Sequence, residues 1–174
     1  MRVFWKGDFP SWPDTRRHGI VTPMTDLDAI DRAILRLIAA DSSLSLNDIA
    51  DKVGLTATPC WKRIKRMEET GIIRGRVAVL DADKLGLPVS VFVSIETSDH
   101  SAEWLASFAT TIATTPEIVG AWRMSGDVDY LLHVIVPDIA AYDAFYKKLI
   151  GAVKLRNVSS RFAMERMKDA ALPI

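Results

Sequence analysis

Four bases fall within five residues at Lys62, Arg63, Lys65 and Arg66, directly after a Thr58-Pro59-Cys60-Trp61 turn. The whole chain of 174 residues is neutral, with 22 Lys plus Arg against 22 Asp plus Glu. Residues 56–76 break that balance: six bases, Arg74 and Arg76 included, face only Glu68 and Glu69, a net +4. Cations along one helix can neutralise the phosphates that flank a DNA groove, while the helix N-terminus and a threonine approach phosphate or base edges. A solvated basic helix face is the alternative reading of such a run. The context of the run decides between them.

Other chemistries find little support. Cys60 is the single cysteine, so neither an intramolecular disulfide nor an all-Cys metal site can form, and a reducing cytoplasm is expected. A thiolate at a helix start would gain from the helix dipole, but a small packed side chain is the simpler role for Cys60. His18 and His100 fall in loops and His133 on a strand; no His, Asp and Glu have metal-ligand spacing. Asp127 and Asp129 lie near His133 without a nucleophile. No phosphate loop or dinucleotide fingerprint is present, so no catalytic residue, metal or cofactor is expected. No apolar run approaches the ~20 residues of a membrane span. Residues 1–24 carry three prolines and no periodicity, and read as a disordered extension, with Met24 a candidate internal start.

The basic run needs elements to position it. Residues 26–40 place Leu27, Ile30, Ile34, Leu37 and Ile38 at helical spacing, with Thr25 or Asp26 as candidate caps. Residues 46–53 predict a short second helix, with Ser45 and Asp48 as a capping box and Gly54 as its stop. The third helix carries the bases. Cys60 or Trp61, Ile64 and Met67 form its apolar line, Pro59 lies in its first turn, Thr56 or Thr58 caps it, and Gly71 ends it. Two helices joined by a tight glycine turn make a helix-turn-helix, whose second element enters the major groove. Residues 25–76 are therefore expected to form a DNA-binding domain. Thr56, Thr58, Lys62, Arg63, Lys65, Arg66, Arg74 and Arg76 are its candidate contacts with double-stranded DNA. Residues 72–81 read as a strand or short hairpin, and residues 77–88 as a connection.

The region 89–170 changes character. Val89, Val91, Val93 and Ile95 alternate with polar partners, as in a half-buried strand. Residues 101–114 predict a helix behind Ser101. Residues 117–124 and 129–136 predict a hairpin around SGDVD. Asp138 caps a second helix bearing Ile139, Tyr142, Tyr146 and Leu149, stopped at Gly151, and residues 156–167 predict a last strand. The order β-α-β-β-α-β is ferredoxin-like, and the fold class is α+β. Both helices should cover one sheet face, which leaves the other for a partner subunit.

In joint order, LDAIDRAIL (27–35), DIADKVGLT (48–56), TPCWKRIKRMEETGII (58–73), GRVAVLDADKLG (75–86), SGDVDYLL (125–132) and VPDIAAYDAF (136–145) resemble the Lrp/AsnC family of transcription factors. The likeness covers roughly residues 25–170. It implies a plain or winged helix-turn-helix and a C-terminal domain for effector binding and oligomerisation. Dimers would form through the sheets and assemble into tetramers or octamers. The effector it implies is an amino acid, at a contact between dimers beside the Gly-Asp-x-Asp turn. By position, the resemblance assigns Met124, Gly126, Asp127, Asp129, Ile139, Ser160, Arg161 and Phe162 to that site. Backbone groups at a glycine turn can meet a carboxylate, and Asp127 or Asp129 an ammonium. The chain departs from the family pattern at Lys154-Leu155, Val158 and Arg76. The expected protein is a cytoplasmic, sequence-specific regulator whose DNA binding or assembly responds to a small amino acid. An effector-independent architectural DNA binder is the main alternative, and a free-standing metabolite-binding protein or enzyme the other.

Overall fold

The computed structural model describes residues 26–174. The expected disordered extension at residues 1–24 lies outside them. The described chain falls into two compact units: one spans Leu80–Arg166, and the other comprises the residues up to Val79 together with Met167–Ile174.

The helical unit holds α1 (Ala29–Ala40), α2 (Leu46–Lys52) and α3 (Ala57–Glu69). Asp28, not Thr25 or Asp26, caps α1: its Oδ1 accepts the Asp31 amide at 2.8 Å, while the Asp31 carboxylate accepts the Asp28 amide at 3.3 Å. Two orphan amides are thereby satisfied reciprocally, as in a capping box. Ser45 and Asp48 do the same for α2. Gly54 then takes φ +70, a left-handed conformation that only glycine adopts without a Cβ penalty. Thr56 is the N-cap residue of α3, and Pro59 sits in the first turn, where its missing amide costs no helical bond. Ile34, Leu35 and Ile38 of α1 meet Ile49 and Ala50 of α2 and Cys60, Ile64 and Met67 of α3 in one core. Ile174 packs against this core, and its carbonyl accepts a 2.7 Å bond from Arg36 Nε.

Residues 72–81 do not form the expected strand. Val77, Val79 and Leu80 are all exposed. The alternation is present, but among the described residues no strand pairs with the segment, and an unpaired strand has no ladder to define it.

The second unit is a four-stranded antiparallel sheet, ordered β2-β3-β1-β4, made of β1 (Val89–Glu96), β2 (Ile118–Arg123), β3 (Tyr130–Val136) and β4 (Asn157–Phe162). Helices α4 (Ala102–Thr114) and α5 (Ile139–Ala152) complete the ferredoxin-like βαββαβ chain. One face, with Val91, Val93, Ile95, Leu132 and Val134, packs on Trp104, Phe108, Ile112, Tyr142, Phe145 and Leu149 of the helices. Each such side chain, when fully buried, contributes about 1.5–3 kcal/mol. The α5 helix runs through Gly151 to Ala152, and β4 ends at Phe162, earlier than its sequence pattern implies. The other face is amphipathic. Phe92 stacks on His133 with centroids 4.7 Å apart, and Trp122, 48% exposed, lies over Gly120. A Cβ at Gly120 would meet the Trp122 ring at 2.5 Å, so only glycine admits that close approach.

Candidate nucleic-acid interface and effector site

Helix α3 rotates by roughly 100° per residue, so its side chains divide by direction. Cys60, Ile64 and Met67 point into the core. Thr58, Trp61, Lys62 and Lys65 are exposed at i, i+3, i+4 and i+7, which places them on one outward stripe. Trp61 is 48% exposed, and the Lys65 ammonium sits 4.9 Å from its ring centroid. The apolar line of α3 thus runs through Cys60, and Trp61 joins the polar face. The sequence left Trp61 as an alternative to Cys60 in the buried line. The signal against that was its spacing of three and four from Thr58 and Lys65.

Arg63 and Arg66 turn a different way. Arg63 Nη1 donates to Asp31 Oδ1 at 2.8 Å and to Asp28 Oδ2 at 2.6 Å. Arg66 Nη2 donates to Asp31 Oδ2 at 2.5 Å. The Asp31 side chain is only 1% exposed, against 27% for Arg63 and 47% for Arg66. A buried carboxylate on α1 therefore gathers two of the four bases of α3. Removing the guanidiniums would leave that buried charge uncompensated, at a cost on the order of 3 kcal/mol. The paired carboxylates hold the Arg63 guanidinium above its usual pKa, the hydrogen bond to Asp28 contributing most. Asp28 is held below the carboxylate range, first by the Asp31 amide and then by Arg63.

The remaining candidates lie around α3. Thr56 is exposed, and its hydroxyl makes no capping bond. Arg76 Nη2 reaches Glu68 Oε1 on α3 at 3.2 Å. Lys62 and Arg74 have no ion pair among the described residues. Cys60 is fully buried, and burial pushes its thiol pKa up, opposite to what a reactive thiolate needs.

The eight effector candidates do not form one cluster. Gly126 turns with φ +108 between β2 and β3, at the end of the sheet where β1 reaches Glu96. Asp129 stabilises that corner: its amide donates to Ile95 O at 2.9 Å, its carbonyl accepts the Met124 amide at 2.8 Å, and its Oδ2 accepts the Thr97 amide at 2.8 Å. Asp127 is exposed. Ser160 and Phe162 lie on β4, an edge strand, and both meet Tyr142 of α5, one turn beyond the exposed Ile139. Two to three inter-strand spacings, roughly 10–14 Å, separate the β2–β3 turn from β4. Arg161 alternates to the other face, where its Nη1 donates to Ser94 Oγ at 2.9 Å. Within one chain, the glycine turn and the β4 residues are therefore separate half-sites. An open groove of about 730 Å³ lies by the α5–β4 turn, lined by Ser98, Tyr146, Ile150, Lys154, Arg156 and Asn157 among others. None of the eight candidates lines it.

Among the described residues, no group of three or more His, Cys, Asp or Glu could hold a metal ion, and no helix is long and apolar enough to cross a membrane.

Comparison with known proteins covers both units. Residues 27–74 match the winged helix-turn-helix DNA-binding family, and residues 90–173 match the Lrp/AsnC ligand binding domain. The chain is 50% identical over 150 residues to the DNA-binding transcriptional activator DecR of Escherichia coli strain K12, covering 85% of this chain and 99% of that protein. It is 41% identical over 146 residues to the glutamate uptake regulatory protein of Zymomonas mobilis, covering 84% and 89%. Its fold matches an AsnC family transcriptional regulator from Agrobacterium tumefaciens with TM-score 0.80 and 57% identity, over 84% of this chain and 96% of that one. A transcriptional regulator of Neisseria meningitidis in complex with L-Met matches with TM-score 0.80 and 26% identity, over the same shares. With its helix-turn-helix and ligand-binding units both matched, the chain belongs to the Lrp/AsnC family of DNA-binding transcriptional regulators and is not an enzyme.

Proposed function

We propose that this protein is a cytoplasmic, sequence-specific regulator that reads double-stranded DNA with the outward stripe of α3 and responds to a small amino acid. The observation that carries the reading is that stripe: Thr58, Trp61, Lys62 and Lys65 lie together and exposed on the second helix of a helix-turn-helix. Lys62 and Lys65 meet phosphates, Thr58 and Trp61 approach base edges, and the uncapped start of α3 with Thr56 faces a phosphate. Arg74 and Arg76 add charge beside α3.

The amphipathic sheet face around Phe92, His133 and Trp122 is the proposed surface for a homodimer, which places two DNA heads on two half-sites. Dimers join further into tetramers or octamers. The separation of Gly126–Asp129 from Ser160 and Phe162 supports an effector site completed by more than one copy. The L-Met complex of the Neisseria relative supports an amino acid as its ligand. The ligand acts by favouring one assembly over another, which changes which half-sites can be reached together.

The test is binding to a duplex carrying the gene's own upstream region, with each of the twenty amino acids added in turn. A shift in affinity or complex size with one or two of them is the expected result. Salt-sensitive binding that ignores both sequence and every amino acid would replace this reading with that of an architectural DNA binder.

A further inference from the structure

We propose that Asp31 is a specificity-determining residue, which keeps Arg63 and Arg66 off the DNA phosphates and fixes the rotation of α3 about its axis. The inference rests on the DNA-binding reading and deepens it. The Asp31 carboxylate accepts Arg63 on Oδ1 and both Arg66 and the Asp28 amide on Oδ2. Its side chain is 1% exposed, so the charge is held inside the helical unit. Arg63 is further tied to Asp28.

A buried ion cluster is a poor device for stability alone, since apolar side chains of similar volume often serve as well or better. It is a good device for two other purposes. First, guanidiniums at i and i+3 that converge on one fixed carboxylate set the azimuth of the helix that carries them. With Arg63 and Arg66 pointing to α1, Thr58, Trp61, Lys62 and Lys65 must point away from the core. Second, phosphate contacts strengthen binding to every sequence alike. Withholding two arginines from the backbone weakens attraction to random DNA and leaves discrimination to the outward stripe. The four clustered bases thus divide into two lysines for phosphate and two arginines for positioning.

The test compares salt dependence on two duplexes, one carrying the upstream region and one of random sequence. Asp31→Asn keeps the shape but releases the arginines. On the random duplex its plot of log affinity against log salt should steepen by about one to two units, near 0.9 per phosphate gained. Its preference for the upstream duplex should fall at least about tenfold, as matched and random sequences become harder to distinguish. A folded Asp31→Asn protein with unchanged slope overturns the proposal. Arg66→Gln leaves Asp31 paired with Arg63 and decides the matter even if Asp31→Asn does not fold. Its affinity should fall while its slope stays within about half a unit of the unsubstituted protein. A slope lower by about one unit puts Arg66 on a phosphate and overturns the proposal. Failure of the unsubstituted protein to bind either duplex would instead overturn the DNA-binding reading beneath it.

Discussion

Ser90 and His133 are joined across β1 and β3, with the serine hydroxyl 2.8 Å from His133 Nε2 and the Phe92 ring stacked on the imidazole. This polar pair sits in the amphipathic sheet face that we assign to self-association. Burial pushes the His133 pKa below its ordinary value, and the charge of Arg166 acts in the same direction. Between the lowered folded pKa and the unfolded value near 6.5, the unfolded chain binds more protons. The His133 contribution to stability is therefore complete above about pH 6.5 and is lost as the pH falls through the folded value. Thermal melts between pH 5 and 7.5 should show a steeper acid loss for the unsubstituted protein than for His133→Gln. Parallel curves would contradict this.

Trp61 should contribute to recognition rather than to the core. Trp61→Ala should leave the melting temperature within about 2 °C, because exposed substitutions change stability little. Its binding to the upstream duplex should weaken, by about tenfold if recognition at one base pair, worth about 1–3 kcal/mol, is lost. A large fall in melting temperature with unchanged DNA preference would return Trp61 to the packing residues.

The two turn carboxylates should separate by role. Asp129 closes the β2–β3 corner through Thr97, Ile95 and Met124, so Asp129→Ala should lower stability by about 1–3 kcal/mol through the unsatisfied Thr97 amide. Asp127 is exposed and should be free to meet an effector ammonium. Asp127→Asn should then abolish the amino-acid response while leaving the melting temperature and effector-free DNA binding unchanged. A full response in Asp127→Asn would remove that residue from the site.

Much of this architecture was legible locally. Helical periodicity located all three helices of the DNA-binding unit, and Ser45 with Asp48 marked the start of α2, because capping boxes act over three residues. Strand alternation placed Val91, Val93 and Ile95 inward. What was not legible depended on distant partners. The sequence shows four similar bases; Asp28 and Asp31, more than thirty positions earlier, divide them. Cys60 and Trp61 are adjacent and both apolar, so periodicity alone left the buried position open. Residues 72–81 have a strand pattern, yet a strand also requires a neighbour. Ser160, Arg161 and Phe162 were grouped by the family likeness, whereas the period-two alternation of β4 sends Arg161 to the opposite face from the other two.

In our reading the outward stripe of α3 meets DNA. The most direct measurement is the salt dependence of binding to the upstream duplex for the Lys62→Ala and Lys65→Ala double variant. Two lost phosphate contacts predict a slope shallower by about 1.8 units, with the fold intact. An unchanged slope in a folded variant would mean that DNA is held by some other surface.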